Sequence, residues 1–308
     1  MADQKDVYKL GLPEFFVVGA PKCGTTALCS YLKAHPSIKF PKIKEPAYFC
    51  DDYSVSLVGG WDDYCRLFLE SQQSPVSELV VGEGTTLYLN SSTAVSRILS
   101  YKPDAKFVVM IRNPVEMIQA WHGQLLYQGF ENIADFELAW SAEGMRRLGH
   151  LVPRGCPDNS LLYYSSWGAL GKQLSRLMSL VEPHQVKLIL FDDFKKEPAS
   201  VYRSVLEFLG VENDGREDFG VVNERKQTRF KALSYLTSFS SSMVSSVTLP
   251  LFGKRGLGIG RHIHRINSYK GKPPELDGEF VSKLNSFYRD DVEELSTLFG
   301  RDLSFWLK

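Results

Sequence analysis

The chain has 308 residues, 44% hydrophobic and 23% charged, which suits one large α/β domain or two small ones. Its 36 basic residues balance 36 acidic ones. No global field therefore draws in nucleic acid or an anionic membrane, and any anion site must be local.

The five cysteines, Cys23, Cys29, Cys50, Cys65 and Cys156, show neither a C-x-x-C pair nor metal-ligand spacing. An odd, scattered set reads as reduced thiols in a cytoplasmic protein. The first ten residues are polar and lack a signal core, and no run is long enough to span a bilayer. The expectation is a soluble, unanchored chain: a flexible arm over 1–13, then one domain over 14–308 without repeats or linkers.

Residues 15–18 are a continuous apolar run, the pattern of a strand buried on both faces. They lead into Gly19-Ala20-Pro21-Lys22-Cys23-Gly24-Thr25-Thr26-Ala27, and a helix is expected over about 25–34. Each part suits a phosphate. Glycine lets backbone approach an anion closely. The first amides of a helix lack internal partners. Lys22 adds a full charge, and Thr25 and Thr26 add hydroxyls. The stretch is not a Walker A loop, because the lysine precedes the second glycine. Cys23 reads as a small packed residue rather than a nucleophile.

A short strand is expected at 38–40. The segment Pro41-Lys42-Ile43-Lys44-Glu45-Pro46-Ala47-Tyr48-Phe49 is held extended by its prolines. A carboxylate beside aromatic rings suits a general base, although residue types alone favour a solvated charged loop. Residues 51–78 are an irregular or helical excursion, with Trp61, Tyr64 and Phe68 near helical spacing. A strand over 79–82 runs into Gly82-Glu83-Gly84-Thr85-Thr86-Leu87-Tyr88, and a helix follows over 91–100.

The run 106–111 is another buried strand and ends in Arg112-Asn113-Pro114. Ligands of open parallel sheets gather beyond strand carboxyl ends, where arginine offers a planar fork for phosphate. His122 reads as a structural helical histidine. It is also the runner-up base, because histidine titrates near working pH. Residues 131–148 are amphipathic, with Phe136, Leu138, Ala139 and Trp140. The loop over 150–159 is long enough to be substrate-facing.

A helix is expected over 166–180 and a strand over 186–191. The pair Asp192-Asp193 reads as turn acids, not a metal pair. Residues 198–210 form a helix with proline at its start and glycine at its end. Basic patches follow at 223–231 and 254–265. Tyr269-Lys270-Gly271-Lys272-Pro273 then precedes one long C-terminal helix that ends at Gly300.

The order P-K-C-G-T-T resembles the 5′-phosphosulfate loop of sulfotransferases that use 3′-phosphoadenosine 5′-phosphosulfate. The resemblance runs over roughly 14–306 and is closest to the bacterial and carbohydrate-type branch, including heparan-sulfate sulfotransferases. It implies a single P-loop-like α/β domain with a central parallel sheet flanked by helices. It implies that Lys22, Cys23, Gly24, Thr25, Thr26 and Ala27 hold the 5′-phosphosulfate, with Lys22 also catalytic. Glu45 matches the acidic catalytic residue of a K-E-P-x-F-F-like segment, and other branches use a histidine, which keeps His122 in view. Arg112 matches the arginine that binds the 3′-phosphate. The serine that many members place eight residues later is Ala120 here, so Gln119 or another loop would have to serve. Lys270, Gly271 and Lys272 match a K-G-R segment that closes over the donor phosphates. Gly84 replaces the lysine of an E-K-T-P-x-Y segment, which implies a less anionic acceptor than heparan.

The implied reaction moves a sulfuryl group, without a metal, to a hydroxyl or amine of a small-molecule, lipid, glycan or carrier-bound acceptor. Two other readings stand beside it: a P-loop-like nucleotide kinase, and a nucleotide-binding module without chemistry.

Overall fold

The apolar run at the start of the chain forms strand β1 (Phe15–Gly19), and all five of its residues are buried. A strand is covered on both faces only inside a sheet, and β1 is the middle strand of five. The sheet order is β2-β3-β1-β4-β5, with β2 at Ile38–Lys39, β3 at Val80–Gly84, β4 at Lys106–Ile111 and β5 at Val186–Leu190. Every pairing is parallel. This computed structural model describes residues 11–69, 79–220, 226–228, 268–270 and 274–308, with only the backbone given at 226–228 and 268–270. The expected arm, both basic patches, Gly271 and Lys272 fall largely or wholly outside the described residues.

Helices lie between the strands, as parallel crossovers require. In chain order they are α1 (Thr25–Lys33), α2 (Trp61–Leu69), α3 (Ala94–Tyr101), α4 (Pro114–Gln128), α5 (Phe136–Ser141), α6 (Glu143–Arg147), α7 (Tyr164–Gly168) and α8 (Leu170–Met178). Then come α9 (Phe191–Lys196), α10 (Pro198–Leu209), α11 (Gly278–Phe287) and α12 (Arg289–Phe299). Among the described residues no helix is long and apolar enough to cross a membrane. The expected α/β architecture, a central parallel sheet flanked by helices, is present.

The chain falls into two compact units, residues 1–117, 169–223 and 284–308 in the first and 118–168 and 224–283 in the second. The whole parallel sheet belongs to the first. Its core centres on Phe16, whose ring stacks on Phe107 at 6.2 Å and meets Phe49 edge-on at 5.9 Å. Gly82 must be glycine, because a Cβ there would sit 2.1 Å from the Phe15 ring. Asp291 on α12 accepts from the amides of Gly171 and Lys172 at 2.8 and 3.0 Å, which satisfies two orphan donors at the start of α8.

The second unit is built around a buried ion pair. Arg146 and Glu131 are both fully buried and meet at 2.7 Å. The Tyr164 hydroxyl donates to the same carboxylate at 2.6 Å. The Trp121 indole donates to the Leu161 carbonyl at 3.0 Å, with the Trp167 ring 5.0 Å away. The same unit holds a two-stranded antiparallel ribbon, β6 (Lys226–Thr228) with β7 (Ser268–Lys270).

Several elements differ from expectation. Strand β3 runs on through Glu83 and Gly84, so Glu83 is a buried strand residue and not the start of a loop. The helix expected over 166–180 is two helices, interrupted at Ala169. The long C-terminal helix is also two. It breaks at Tyr288, which turns its ring inside at 1% exposure while Phe287 is left 57% exposed. The amphipathic stretch over 131–148 forms two short helices, with Leu138 on the outside. Asp192 and Asp193 open helix α9 and are not turn acids.

Candidate functional site

Strands β1 and β4 are hydrogen-bonded neighbours, so the segments that leave their carboxyl ends lie side by side. From β1 comes the Lys22 loop. Lys22 and Gly24 have φ of 63° and 88°, the left-handed region where glycine is at ease and lysine is not. Helix α1 then starts with no side-chain cap. Its Ala27 and Leu28 amides turn back to the Gly24 carbonyl at 2.9 and 3.1 Å. Among the described residues the Thr25 and Thr26 amides have no backbone acceptor. An uncapped helix start beside a lysine can accept an anion.

Cys23 packs below this loop. It is fully buried and its thiol donates to the Pro21 carbonyl at 3.4 Å. Burial pushes its pKa up to about 12, against the pull of Arg112, so the thiol stays protonated. Its side chain is packing, as expected, and only its amide can face an anion.

From β4 comes Arg112. Its Nε donates to Glu116 Oε2 at 2.8 Å, and Nη2 donates to the same oxygen. The guanidinium lies 5.0 Å from the Phe191 ring centroid. Asn113 explains the residue that follows. Its Oδ1 accepts from the Val115 amide at 2.9 Å at the start of α4, and its amide nitrogen donates to the Trp306 carbonyl at 3.0 Å. The C-terminal segment is thereby fastened beside the strand tip. Asp192 and Asp193 strengthen the fastening: the Trp306 indole donates to Asp192 at 3.4 Å, and Arg301 pairs with Asp193 at 2.6 Å. Among the described residues no cluster of acids, histidines and cysteines could hold a metal.

Glu45 joins the Lys22 loop through its neighbour. Lys44 Nζ donates to Thr26 Oγ1 at 2.6 Å and lies 3.1 Å from Glu45 Oε1. Thr86 reaches the same carboxylate oxygen at 3.5 Å. A cation therefore stands between the phosphate-type loop and the carboxylate. In the sequence Lys44 looks like one more solvated charge, since its partner Thr26 lies 18 residues away. Gly84, where the resembled segment has a lysine, has no room for one: a Cβ there would come 2.8 Å from Cys29 Sγ.

Glu83 is the residue that sequence reasoning passed over. It is 0% exposed. Its carboxylate accepts from Thr85 at 2.5 Å, Tyr64 at 2.6 Å and Tyr88 at 3.1 Å. Burial raises its pKa to about 7, and the three hydroxyl bonds restrain the rise.

The other candidates belong to the second unit. His122 is buried and its Nε2–H donates to the Ile133 carbonyl at 2.8 Å. Phe136 and Tyr164 flank its ring at 5.1 and 5.8 Å. Burial lowers its pKa. Gln119 donates to the Pro274 carbonyl at 2.7 Å, and Ala120 is buried. Lys270 ends β7 opposite Lys226.

A family model described as Sulfotransferase domain matches residues 12–289. The crystal structure of a sulfotransferase from Alicyclobacillus acidocaldarius superposes with a TM-score of 0.69 at 27% identity, covering 96% of this chain and 99% of that one. The bifunctional heparan sulfate N-deacetylase/N-sulfotransferase 4 of Mus musculus is 27% identical over 308 residues, 96% of this chain and 31% of that protein. Carbohydrate sulfotransferase 15 of Mus musculus is 30% identical over 152 residues, 35% of this chain and 26% of that protein. The chain thus spans about a third or less of these two curated relatives.

Proposed function

Because the chain belongs to the sulfotransferase domain family, we propose that it transfers a sulfuryl group from 3′-phosphoadenosine 5′-phosphosulfate to an acceptor hydroxyl or amine. The observation that carries this reading is the pairing of β1 with β4, which sets the Lys22 loop and Arg112 on adjacent strand tips. A nucleotide with phosphate at both ends of its ribose needs two such anchors.

Lys22 and the amides from Cys23 to Thr26 bind the 5′-phosphosulfate, with the Thr25 and Thr26 amides as the open donors; the Ala27 amide, turned to the Gly24 carbonyl, drops out of the expected set. Arg112 takes the 3′-phosphate and holds the donor in register. Lys270, Gly271 and Lys272 are assigned to the donor phosphates on resemblance alone. As the acceptor atom bonds to sulfur, the bond from sulfur to the bridging oxygen breaks and 3′-phosphoadenosine 5′-phosphate leaves. Lys22 offsets the charge that grows on the bridging oxygen. Glu45 accepts the acceptor's proton. Lys44, between Thr26 and Glu45, adds a second cation on that side.

The names of the relatives, carbohydrate and heparan sulfate, favour a glycan acceptor. Gly84 favours one with less negative charge than heparan. Five free thiols support a reducing compartment, the cytoplasm.

Calorimetry with 3′-phosphoadenosine 5′-phosphate and a sulfation assay test the reading. Lys22→Ala abolishes turnover and weakens donor binding. Glu45→Gln loses turnover and keeps donor binding. Unchanged turnover in Glu45→Gln moves the base role to His122, and no nucleotide binding at all ends the proposal.

A further inference from the structure

We propose that Glu83 is a positioning residue for Glu45: its ionised carboxylate locks the Thr85 and Tyr88 hydroxyls in the orientation that anchors the backbone just after Glu45. The inference rests on the reading of Glu45 as the base.

The backbone around Glu45 is one that the chain would not choose by itself. Glu45 and Ala47 have φ of 55° and 54°, in the left-handed region that non-glycine residues avoid. Such a conformation persists where surrounding bonds over-determine it, and it clusters at functional sites. Four bonds from outside the segment hold its backbone: the Leu57 amide donates to the Pro46 carbonyl at 3.0 Å, Arg97 donates to the Tyr48 carbonyl at 2.9 Å, and the other two lead to Glu83. The Ala47 amide donates to Thr85 Oγ1 and the Phe49 amide donates to the Tyr88 hydroxyl, each at 3.4 Å.

Both of those hydroxyls donate their one hydrogen to Glu83, at 2.5 and 3.1 Å. A hydroxyl that gives its hydrogen to a carboxylate turns its lone pairs elsewhere, so it must accept from the amide. Tyr64 donates to Glu83 as well, at 2.6 Å. The carboxylate thus takes three donors and has none to give, which fixes the direction of every bond in the cluster. A protonated Glu83 is itself a donor. One of the three hydroxyls then loses its acceptor, and the anchor on 47–49 loosens.

The charge state is poised to change. Burial lifts Glu83 to about 7, the Thr85, Tyr64 and Tyr88 bonds oppose the lift, and the Glu45 carboxylate adds to it. The other titratable groups around it are Tyr64 from α2, Cys29 from α1, Tyr88 after β3, and Cys50 after the Glu45 segment. Burial pushes each of these upward, so they stay neutral while Glu83 titrates. Lys44 and Glu45 are the charged neighbours on the site side.

The test is the pH profile of kcat in wild type and Glu83→Gln, with hydrogen exchange at Ala47 and Phe49. Wild type should show a step in kcat near the Glu83 pKa of about 7, with turnover lost on the acid side. Glu83→Gln should lack the step, run about tenfold slower above neutrality, exchange faster at both amides, and bind 3′-phosphoadenosine 5′-phosphate as wild type does. A wild-type profile with wild-type exchange overturns the proposal. Thr85→Val serves if Glu83→Gln does not fold: it should lower kcat with donor binding unchanged, and Thr85→Ser should restore it. A fully active Thr85→Val overturns the proposal too. If instead Glu45→Gln stays active while the exchange rates respond as expected, the base assignment has failed and the anchor has not.

Discussion

Arg112 lies over the ring of Phe191, its guanidinium carbon 5.0 Å from the ring centroid. The same ring packs under the phosphate-type loop, where a Cβ added to Gly24 would come within 3.0 Å of it. One aromatic side chain, the first residue past β5, thus spaces the two proposed anion anchors against each other. Lys195 approaches the ring as well, at 5.2 Å. This explains why Gly24 is glycine twice over: its φ is 88°, and Phe191 leaves no room for a side chain.

Phe191→Ala should therefore weaken the bisphosphate nucleotide without touching the chemistry. The loss combines the contact with Arg112 and the support beneath Gly24, and should raise Kd about tenfold. Phe191→Tyr should keep most of the affinity. Calorimetry decides it, and an unchanged Kd in Phe191→Ala would remove the ring from the site.

In the proposed donor complex, Glu116 would compete with the 3′-phosphate for Arg112. The guanidinium donates twice to its carboxylate, and the side chain of Glu116 is 55% exposed. An exposed pair of this kind contributes little to stability, about 0.5 kcal/mol. A carboxylate held beside an incoming phosphate, however, repels it. Glu116→Gln should tighten 3′-phosphoadenosine 5′-phosphate by about threefold and leave adenosine 5′-phosphate unaffected. Equal changes for both nucleotides would place the 3′-phosphate away from Arg112.

The parts of the candidate site that rest on local pattern are legible in the sequence. The β4 run has six residues, closed by Pro114 two residues after Arg112, and its bounds match the expectation. The Lys22 loop was legible because glycine, lysine and a helix start occur together within a few positions. Glu83 was hidden. A charge after a glycine reads as a loop, and the donors that let it stay in a buried strand come from residues 19, 2 and 5 positions away. The break at Tyr288 was hidden for a similar reason. The apolar spacing runs evenly through it, and only the opposite burial of Phe287 and Tyr288 reveals two helices.

Gly84 and Cys29 should be coupled. Gly84→Ala puts a methyl 2.8 Å from Cys29 Sγ, in a strand with Val17 and Phe40 also at hand. Overpacking of this sort costs about 1–3 kcal/mol. Cys29→Ala removes the sulfur, so the double variant should recover about 1 kcal/mol relative to the sum of the single changes. Urea unfolding of the four proteins measures the term. Strict additivity would show that Gly84 is set by something other than this thiol.

Glu83 should leave a mark on stability opposite to the one it leaves on turnover. Its pKa goes from 4.5 to about 7 on folding, so within that window the folded chain holds a proton that the unfolded chain has released. Stability from this group is present in full below the unfolded value and is lost as pH rises through the folded one. The loss is on the order of 3 kcal/mol. Glu83→Gln carries no such charge, so wild type should fall in stability relative to it between about pH 5 and about pH 8. Urea unfolding of both proteins at matched pH reads the difference, and parallel curves would mean that Glu83 does not titrate in this window. The ionised carboxylate that orders the Glu45 backbone is thus the costlier state for the fold, the kind of strain that a structural role alone would not retain.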